Sequence, residues 1–387
     1  VEYFLTDEQK MIVELSRKIT EEHIIPNRAR LDQEEIFPTE ILKIIADAGL
    51  YGLYIPEAYG GFGGGVMDFI LAVEEFSRGC IGVSVSFAAN ALGIYPVLAF
   101  GTEEQKMKYL PPIAAGIKQA AFGLTEANAG SDAGGVQTTA ELKGDYYILN
   151  GTKQWITNGG EAETYTVIAM TDKAKGARGA SAFIVEKGTE GFTFGKKEDK
   201  LGIRASATRE LVFQDCKVPK ANLLGKEGMG FIVAMKNLDH SRPGIAAQGV
   251  GLAQGAMEAA VKYSRERVQF GKPISAFQAN QHKIANMATE IEAARCLLYQ
   301  TARTIDAHIK DFSMESAMCK LYATDVANKV ANEALQIFGG YGYMREYPVE
   351  KMFRDAKILQ IYEGTNEIQR NVIALDAIKK SAKQDKK

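Results

Sequence analysis

The chain reads as a multidomain α and β protein, helical at both ends and β-rich in the middle. Three observations predict this. Apolar residues recur at helical spacing through the N-terminal third, short β-prone runs separated by Gly or Pro follow, and helical spacing returns from about Gly228. We place an N-terminal helical domain at 1–120, a middle β domain at 121–228 and a C-terminal helical domain at 229–387, which a chain of 387 residues is long enough to build. The strand spacing predicts an antiparallel barrel or sandwich, because helices do not alternate with the strands. No internal repeat of fixed period is evident.

In order, Thr6 and Gln9 form a capping-box pattern, Ile12, Leu15 and Ile19 share a helix face, and Pro26 ends that helix. A second helix starts at Pro38-Thr39-Glu40, carries Ile41, Ile44, Ile45 and Ala48, and is closed by Gly49. The glycine-rich run Gly60–Gly65 follows no strand and precedes no GK[ST] pattern, so it reads as a flexible helix–helix connection. Helical patterns continue from Asp68 to Ala115. Asn150-Gly151 between Tyr146–Leu149 and Lys153–Thr157 predicts a hairpin turn. Strands are expected at Tyr165–Met170, Ala182–Val185, Phe192–Phe194 and Glu210–Phe213. Helices follow over Ile245–Tyr263, Gln278–Ile309 and Ser313–Phe338, and a last one enters at Thr365 with Ile368, Val372, Ile373 and Ala377 on one face.

Composition narrows the function classes. Hydrophobic residues make up 46% and charged residues 24%, ordinary for a globular protein. A net charge of −2 points to no nucleic-acid or polyanion partner. Cys80, Cys216, Cys296 and Cys319 are far apart with no CxxC pair, which argues against a metal site or a disulfide framework and fits a reducing compartment. No apolar run of membrane-spanning length and no signal peptide is seen, so no membrane partner is expected. The compartment expected is the bacterial cytoplasm, or the mitochondrial matrix after loss of a transit peptide. Lys379–Lys387 reads as a solvated tail.

Five stretches carry chemistry. In Gln360–Arg370, Glu363 stands between Tyr362 and Gly364, just ahead of the last helix. A carboxylate held there among apolar groups has its pKa raised towards that of a general base, whereas exposed it is an ordinary loop acid. In Ala121–Asp132, small residues let a ligand approach the backbone, and Thr125 and Ser131 can bond it; a polar turn would look the same. Trp155-Ile156-Thr157 places the single tryptophan either in a core or against a ligand. Arg265–Pro273 suits a phosphate-bearing ligand or a solvated helix end, and Gly339 in Gln336–Tyr343 has a sufficient role as a helix stop.

Taken together, these stretches resemble the acyl-CoA dehydrogenase family over essentially the whole chain. Gly123–Glu126 through Gly130-Ser131-Asp132 is similar to the family's first signature. Gln336-x-x-Gly339-Gly340-x-Gly342-Tyr343-x-x-Glu346, with Lys351 and Asp355, is similar to its second. Ile361–Thr365 resembles the catalytic-base segment and Trp155–Thr157 the flavin-facing strand. The short- and medium-chain branch, including bacterial butyryl-CoA dehydrogenases, looks closest.

The resemblance implies an N-terminal helical domain, a middle β domain and a C-terminal four-helix bundle, with FAD between the last two and a homotetramer as the assembly. It implies that Phe122, Leu124, Thr125, Trp155, Ile156 and Thr157 line the isoalloxazine, with Thr365 and Glu367 completing those contacts. Arg267, Phe270 and Gln278, with Gln336, Gly339 and Gly340 of a neighbouring subunit, would hold the pyrophosphate and adenosine. Ser131, Asp239, Arg242, Tyr362 and Gly364 would meet the acyl-CoA. Glu363 would remove the α-proton while its backbone N–H and a ribityl hydroxyl bind the thioester oxygen, giving a trans-2-enoyl-CoA. Electron-transferring flavoprotein is the expected electron acceptor.

Some relatives carry the base where Ser241 stands here, and relatives that do desulfination or ring dehydrogenation lack the glutamate; Glu363 favours the dehydrogenase reading. An enoyl-CoA reductase running the same chemistry backwards and an acyl-CoA oxidase are rivals on one scaffold. A non-catalytic helical scaffold and a nucleotide-fold NAD dehydrogenase are rivals of other kinds, the latter disfavoured because no glycine cluster lies between a strand and a helix. Phe87, Ala88, Asn90, Leu92, Gly93 and the helix from Ile245 to Val250 are expected to set acyl-pocket depth. With no Arg in Val83–Tyr95, a neutral acyl group is expected, short and straight-chain or else small and branched or alicyclic.

Overall fold

The computed structural model describes residues 3–384. Helix α1 (Asp7–Ile19) starts at the capping box, in which Thr6 and Gln9 bond each other's backbone N–H. Its buried side is Ser16 and Ile19, continued by Thr20 in a π turn to Ile24; Leu15, expected on that face, is exposed. Then come α2 (Arg28–Gln33) and α3 (Thr39–Asp47), the latter followed by Gly49 in the left-handed region at φ +76°. Residues 60–65 lead into α4 (Val66–Gly79), whose entrance is fixed by Asp68 accepting from the Gly65 N–H at 2.8 Å. Helices α5 (Ile81–Phe100) and α6 (Glu103–Ala114) complete the domain. Contrary to the sequence reading, α5 is long and apolar enough to cross a membrane. It is instead a core helix, mostly buried against α4 and the start of the sheet.

The middle region is β1 (Ala120–Gly123), β2 (Thr139–Lys143), β3 (Tyr146–Thr157), β4 (Thr164–Met170), β5 (Ala180–Glu186), β6 (Phe192–Phe194), β7 (Thr208–Pro219) and β8 (Leu223–Leu224). They form one eight-stranded sheet, β6-β7-β3-β2-β4-β5-β8, with β1 on β4. Most pairs are antiparallel, but β1–β4 and β2–β4 are parallel, so the sheet is mixed where a purely antiparallel one was expected. The predicted Asn150-Gly151 turn does not exist. β3 runs straight through it as a bulge opposite β7, with Gly151 at φ +144° and Asn150 bonded to Asp215 through both its amide oxygen and nitrogen. The hairpin turns earlier, at Gly144-Asp145, where Lys143 pairs Tyr146 and Gly144 adopts φ +61°. Asn-Gly is a turn signal only where no third strand competes, and β7 supplies one.

The last region holds α7 (Gly230–Glu266), the short ribbon β9 (Val268–Gln269) and β10 (Lys272–Pro273), α8 (Gln278–Asp306), α9 (Ser313–Phe338), α10 (Pro348–Leu359) and α11 (Asn366–Gln384). α7, α8, α9 and α11 are the expected bundle; α10 was not foreseen and packs on α7 and α9. The predicted tail is helical as far as Gln384, and its last three residues lie outside the described ones. One core runs through both helical regions, joining Ile45, Phe76 and Phe87 to Val250, Leu298 and Val330. Polar joints fix the β region to it. Asn90 Oδ1 accepts from the Ala120 N–H at 2.6 Å, Asp355 Oδ1 accepts from the Ile203 N–H at 2.6 Å, and Arg354 donates to the Leu201 carbonyl at 3.0 Å.

Inside the sheet, Lys153 is fully buried and donates to Glu126 at 2.7 Å and to the Leu124 carbonyl at 3.0 Å. Glu126 also accepts from the N–H groups of Gln137 and Thr138, at 2.6 and 2.9 Å. Burial alone would raise the Glu126 carboxyl, but Lys153 and these bonds outweigh it and hold it below the ordinary range. Burial pushes Lys153 down to about 8 against the pull of Glu126. Removing one member strands the other, so Lys153→Met should cost about 3–5 kcal/mol, read as a lower urea midpoint.

Candidate active site

Glu363 lies between α10 and α11, where the chain reverses. Its backbone is in the left-handed region at φ +52°, and Gly364 follows at φ +89°. A non-glycine residue pays for such a conformation, so the surroundings must hold it. They do so from three helices. Gln369 of α11 donates to the carbonyls of Glu363 and Gly364, at 3.2 and 2.9 Å. Lys320 of α9 donates to the Gly364 carbonyl at 2.9 Å. Tyr362 donates its hydroxyl to Gln248 of α7. Thr365 caps α11 by accepting from the Ile368 N–H at 3.3 Å. At φ +89° any side chain on residue 364 would be strained, and a Cβ there would meet Gln369 Nε2 at 2.7 Å and displace the amide that clamps the turn.

The Glu363 carboxylate accepts a hydrogen bond from Ser241 of α7. Burial raises its pKa above the ordinary glutamate value; the Ser241 bond and the cations of Lys320 and Arg242 oppose this without cancelling it. It is therefore a carboxylate with no direct ion pair and a strengthened affinity for a proton, as a general base requires.

Glu363 faces a cavity of about 230 Å³. The β region lines it with Phe122 of β1, Leu124, Thr125 and Ser131 of the loop that follows, and Trp155, Ile156 and Thr157 of β3. Trp155 belongs to no core. It is 58% exposed and sits at φ +57° in a bulge that shifts β3 against β7 between Lys153 and Ile156. The bulge turns the indole into the cleft. A neighbouring cavity of about 600 Å³ shares Thr125, Ser131, Trp155, Thr157 and Tyr362–Gly364 and adds Thr365. Glu363 also borders a third cavity, of about 540 Å³, with Ser241 and Gly244.

Arg242 is buried on the wall of the first cavity, with its Nε lacking a partner. Asp239 does not line the cavity: it binds Arg242 Nη1 at 2.6 Å and Ser313 at 3.0 Å from behind, so it orients the guanidinium. Of the expected pocket-depth residues, Ala88, Leu92 and Ile245 line the cavity. Phe87, Asn90 and Gly93 do not; Phe87 is core, Asn90 is spent on Ala120, and a Cβ on Gly93 would meet Ala121 N at 2.5 Å. Glu367 is exposed in the first turn of α11 and lines none of these cavities.

A second group of the predicted residues stands elsewhere. Arg267, Phe270, Gln336, Gly339 and Gly340 line a groove of about 720 Å³ that contains none of the residues around Glu363. Phe270 is 93% exposed, and the Arg267 guanidinium stacks on Tyr341 at 5.2 Å. Asn280 lines this groove and Gln278 does not. Sequence reasoning missed Lys320 and Gln369, reached Gln248 only as part of the helix expected to set pocket depth, and considered Ser241 only as the place where some relatives carry the base. One signal was available: Lys320 continues the buried stripe Ala317, Lys320, Thr324, Ala327 and Ala331, where a solvated lysine does not belong.

Three family models match successive parts of the chain: "Acyl-CoA dehydrogenase, N-terminal domain" over residues 6–117, the corresponding middle domain over 121–216 and the C-terminal domain over 228–377. The chain is 49% identical over 382 residues to "Acryloyl-CoA reductase (NADH)" of Anaerotignum propionicum, covering 98% of this chain and 97% of that one. Its backbone superposes on butyryl-CoA dehydrogenase from Megasphaera elsdenii with a TM-score of 0.95 at 49% identity, covering 98% and 100% of the two chains. It superposes equally well, at 0.95 and 52% identity over 97% and 98%, on a chain of the structure described as electron transferring flavoprotein of Acidaminococcus fermentans. With three matched domains in order and this agreement over nearly its whole length, the chain belongs to the acyl-CoA dehydrogenase family.

Proposed function

We propose that this protein interconverts a short-chain acyl-CoA and its trans-2-enoyl-CoA, with Glu363 as the base at the α-carbon. The observation that carries this is a carboxylate of raised proton affinity facing, across one cavity, a wall of Thr125, Trp155 and Thr157. Those residues fit FAD, the family's cofactor: an exposed indole for a flat ring, and threonine hydroxyls to bond its polar edge. When bound, FAD supplies the two-electron acceptor at flavin N5.

The chain's own part is position and field. Ser241 holds the Glu363 carboxylate towards the cavity, and the clamped backbone of Tyr362–Thr365 keeps its amide N–H in place for the thioester oxygen. Arg242, with an unspent N–H on the cavity wall, suits the polar part of the CoA arm, as does Ser131 opposite. Leu92, Ala88 and Ile245 give the cavity an apolar stretch of wall, which suits a short neutral acyl group. Exposed Phe270 and half-buried Arg267, with Gln336, Gly339 and Gly340 in a groove apart from Glu363, support a site completed by a second copy of the chain, as in a homotetramer.

The reverse direction is the second reading, favoured by the Anaerotignum propionicum relative named as a reductase. Protonated Glu363 would then return the α-proton. An electron-transferring flavoprotein is the proposed redox partner in either direction, supported by the likeness to a chain in that flavoprotein's structure.

Anaerobic titration of the yellow protein with an acyl-CoA series tests the proposal. Butyryl-CoA should bleach the flavin more than about tenfold faster than octanoyl-CoA. Glu363→Gln should keep the colour and slow bleaching about 10²–10⁴-fold. Because burial raises Glu363, the bleaching rate should fall as pH drops through a value above the ordinary glutamate range. A yellow protein bleached by no saturated acyl-CoA, whose reduced form an enoyl-CoA reoxidises, would favour the reductase. Arg267→Ala should lower the flavin content of purified protein while leaving the fold intact by circular dichroism; full retention of flavin would remove the groove from the site.

A further inference from the structure

We infer that Lys320 is a positioning residue for the base, clamping the peptide after Glu363 and setting a buried ammonium behind its carboxylate. This rests on the reading of Glu363 as the base. Lys320 is fully buried in α9, 2.9 Å from the Gly364 carbonyl and 2.8 Å from Asn366 Oδ1. A buried ammonium is costly, and a carbonyl alone does not call for one. Gln369 already gives the Gly364 carbonyl a neutral donor at 2.9 Å. What Lys320 adds is charge.

The charged groups that face it are few. From α7 comes Arg242, a like charge; from α9, Asp325; from the turn, Glu363; and from α11, Glu367. Asp325 is largely spent elsewhere, accepting from Asn366 Nδ2 and Gln360 Nε2 at 2.7 Å each and from Arg370 at 3.1 Å. Burial pushes Lys320 down to about 7, and Glu363 is the leading group that pulls it back. The relation is mutual: the ammonium favours the ionised carboxylate, so Glu363 stays a base despite its burial. Removing the charge must move the titration of Glu363 upward, and with it the acid limb of flavin bleaching.

The test is single-turnover bleaching of the FAD-loaded protein by butyryl-CoA from about pH 5 to about pH 9, with unfolding temperature and flavin content measured alongside. Lys320→Gln keeps a donor without charge, and its acid limb should move up by about one pH unit or more; Lys320→Arg should restore most of that shift. Asn366→Asp sets a carboxylate against the ammonium and should move the limb in the same direction, which decides the matter if Lys320→Gln does not fold. A folded, yellow Lys320→Gln or Asn366→Asp whose acid limb coincides with that of the unaltered protein overturns the inference. Failure of the unaltered protein to bleach with any acyl-CoA would instead overturn the reading of Glu363.

Discussion

A base in an apolar cavity faces two opposed demands. Burial must raise its affinity for a proton, yet it must still be ionised when substrate arrives. In this protein the balance is struck around Glu363 by one neutral hydrogen bond and by charges that do not touch it. Ser241 gives one hydrogen bond, while Arg242 and Lys320 act through space and form no ion pair with it. A direct pair would have stabilised the anion and weakened the base. The same segment has left-handed backbone at two successive residues, which no short loop would keep unaided. Helices α7, α9 and α11 each contribute one group to hold it, so the bundle is the frame of one turn as much as a hydrophobic core.

The other half of the cleft comes from a separate layer, and its distance from Glu363 is set by how the layers are bolted together. Asn90 meets Ala120 at the start of β1, and Asp355 meets Ile203 beside α10. Between them, the buried Lys153–Glu126 pair fixes Leu124 and Thr125, and the bulge two residues beyond Lys153 turns Trp155 outward. A buried ion pair is a poor way to gain stability but a good way to exclude alternative registers. Slipping β3 by one residue would put Lys153 on the other face of the sheet and take the tryptophan with it.

Much of this was legible in the sequence, and the failures share a cause. Helix caps at Thr6 and Thr365 and the stop at Gly49 are local, and local chemistry found them. The order of helical, β and helical regions follows from periodicity alone. Asn150-Gly151 was misread because turn propensity is blind to β7, which lies about sixty residues on and pairs straight across it. Trp155 was ambiguous for the same reason: whether a large aromatic is core or wall depends on a bulge set by a distant strand. Family resemblance named Thr125, Trp155, Arg242 and Tyr362, which the fold brings to one cavity with Glu363. It did not reach residues that act from behind, as Lys320 and Gln369 do, since each touches Glu363 or Gly364 from another helix. Asp239 illustrates the converse: close to the site in sequence motif, it turns out to brace Arg242.

The arrangement also bears on direction. In the proposed reaction Glu363 takes a proton from the α-carbon in one sense and returns it in the other, and microscopic reversibility would require the same group, the same Ser241 bond and the same oxyanion donor in both. A change that strengthens the base for dehydrogenation weakens it as an acid for reduction, so a pKa set between the two serves either. On this reading the geometry around Glu363 is neutral as to direction, and the sense of the reaction is set by the potential at the opposite wall and by the redox partner. That agrees with a fold in which a butyryl-CoA dehydrogenase and an acryloyl-CoA reductase stand equally near this chain, at 49% identity each. What separates such enzymes should then lie around Thr125, Trp155 and Thr157 and on the surface that meets the partner.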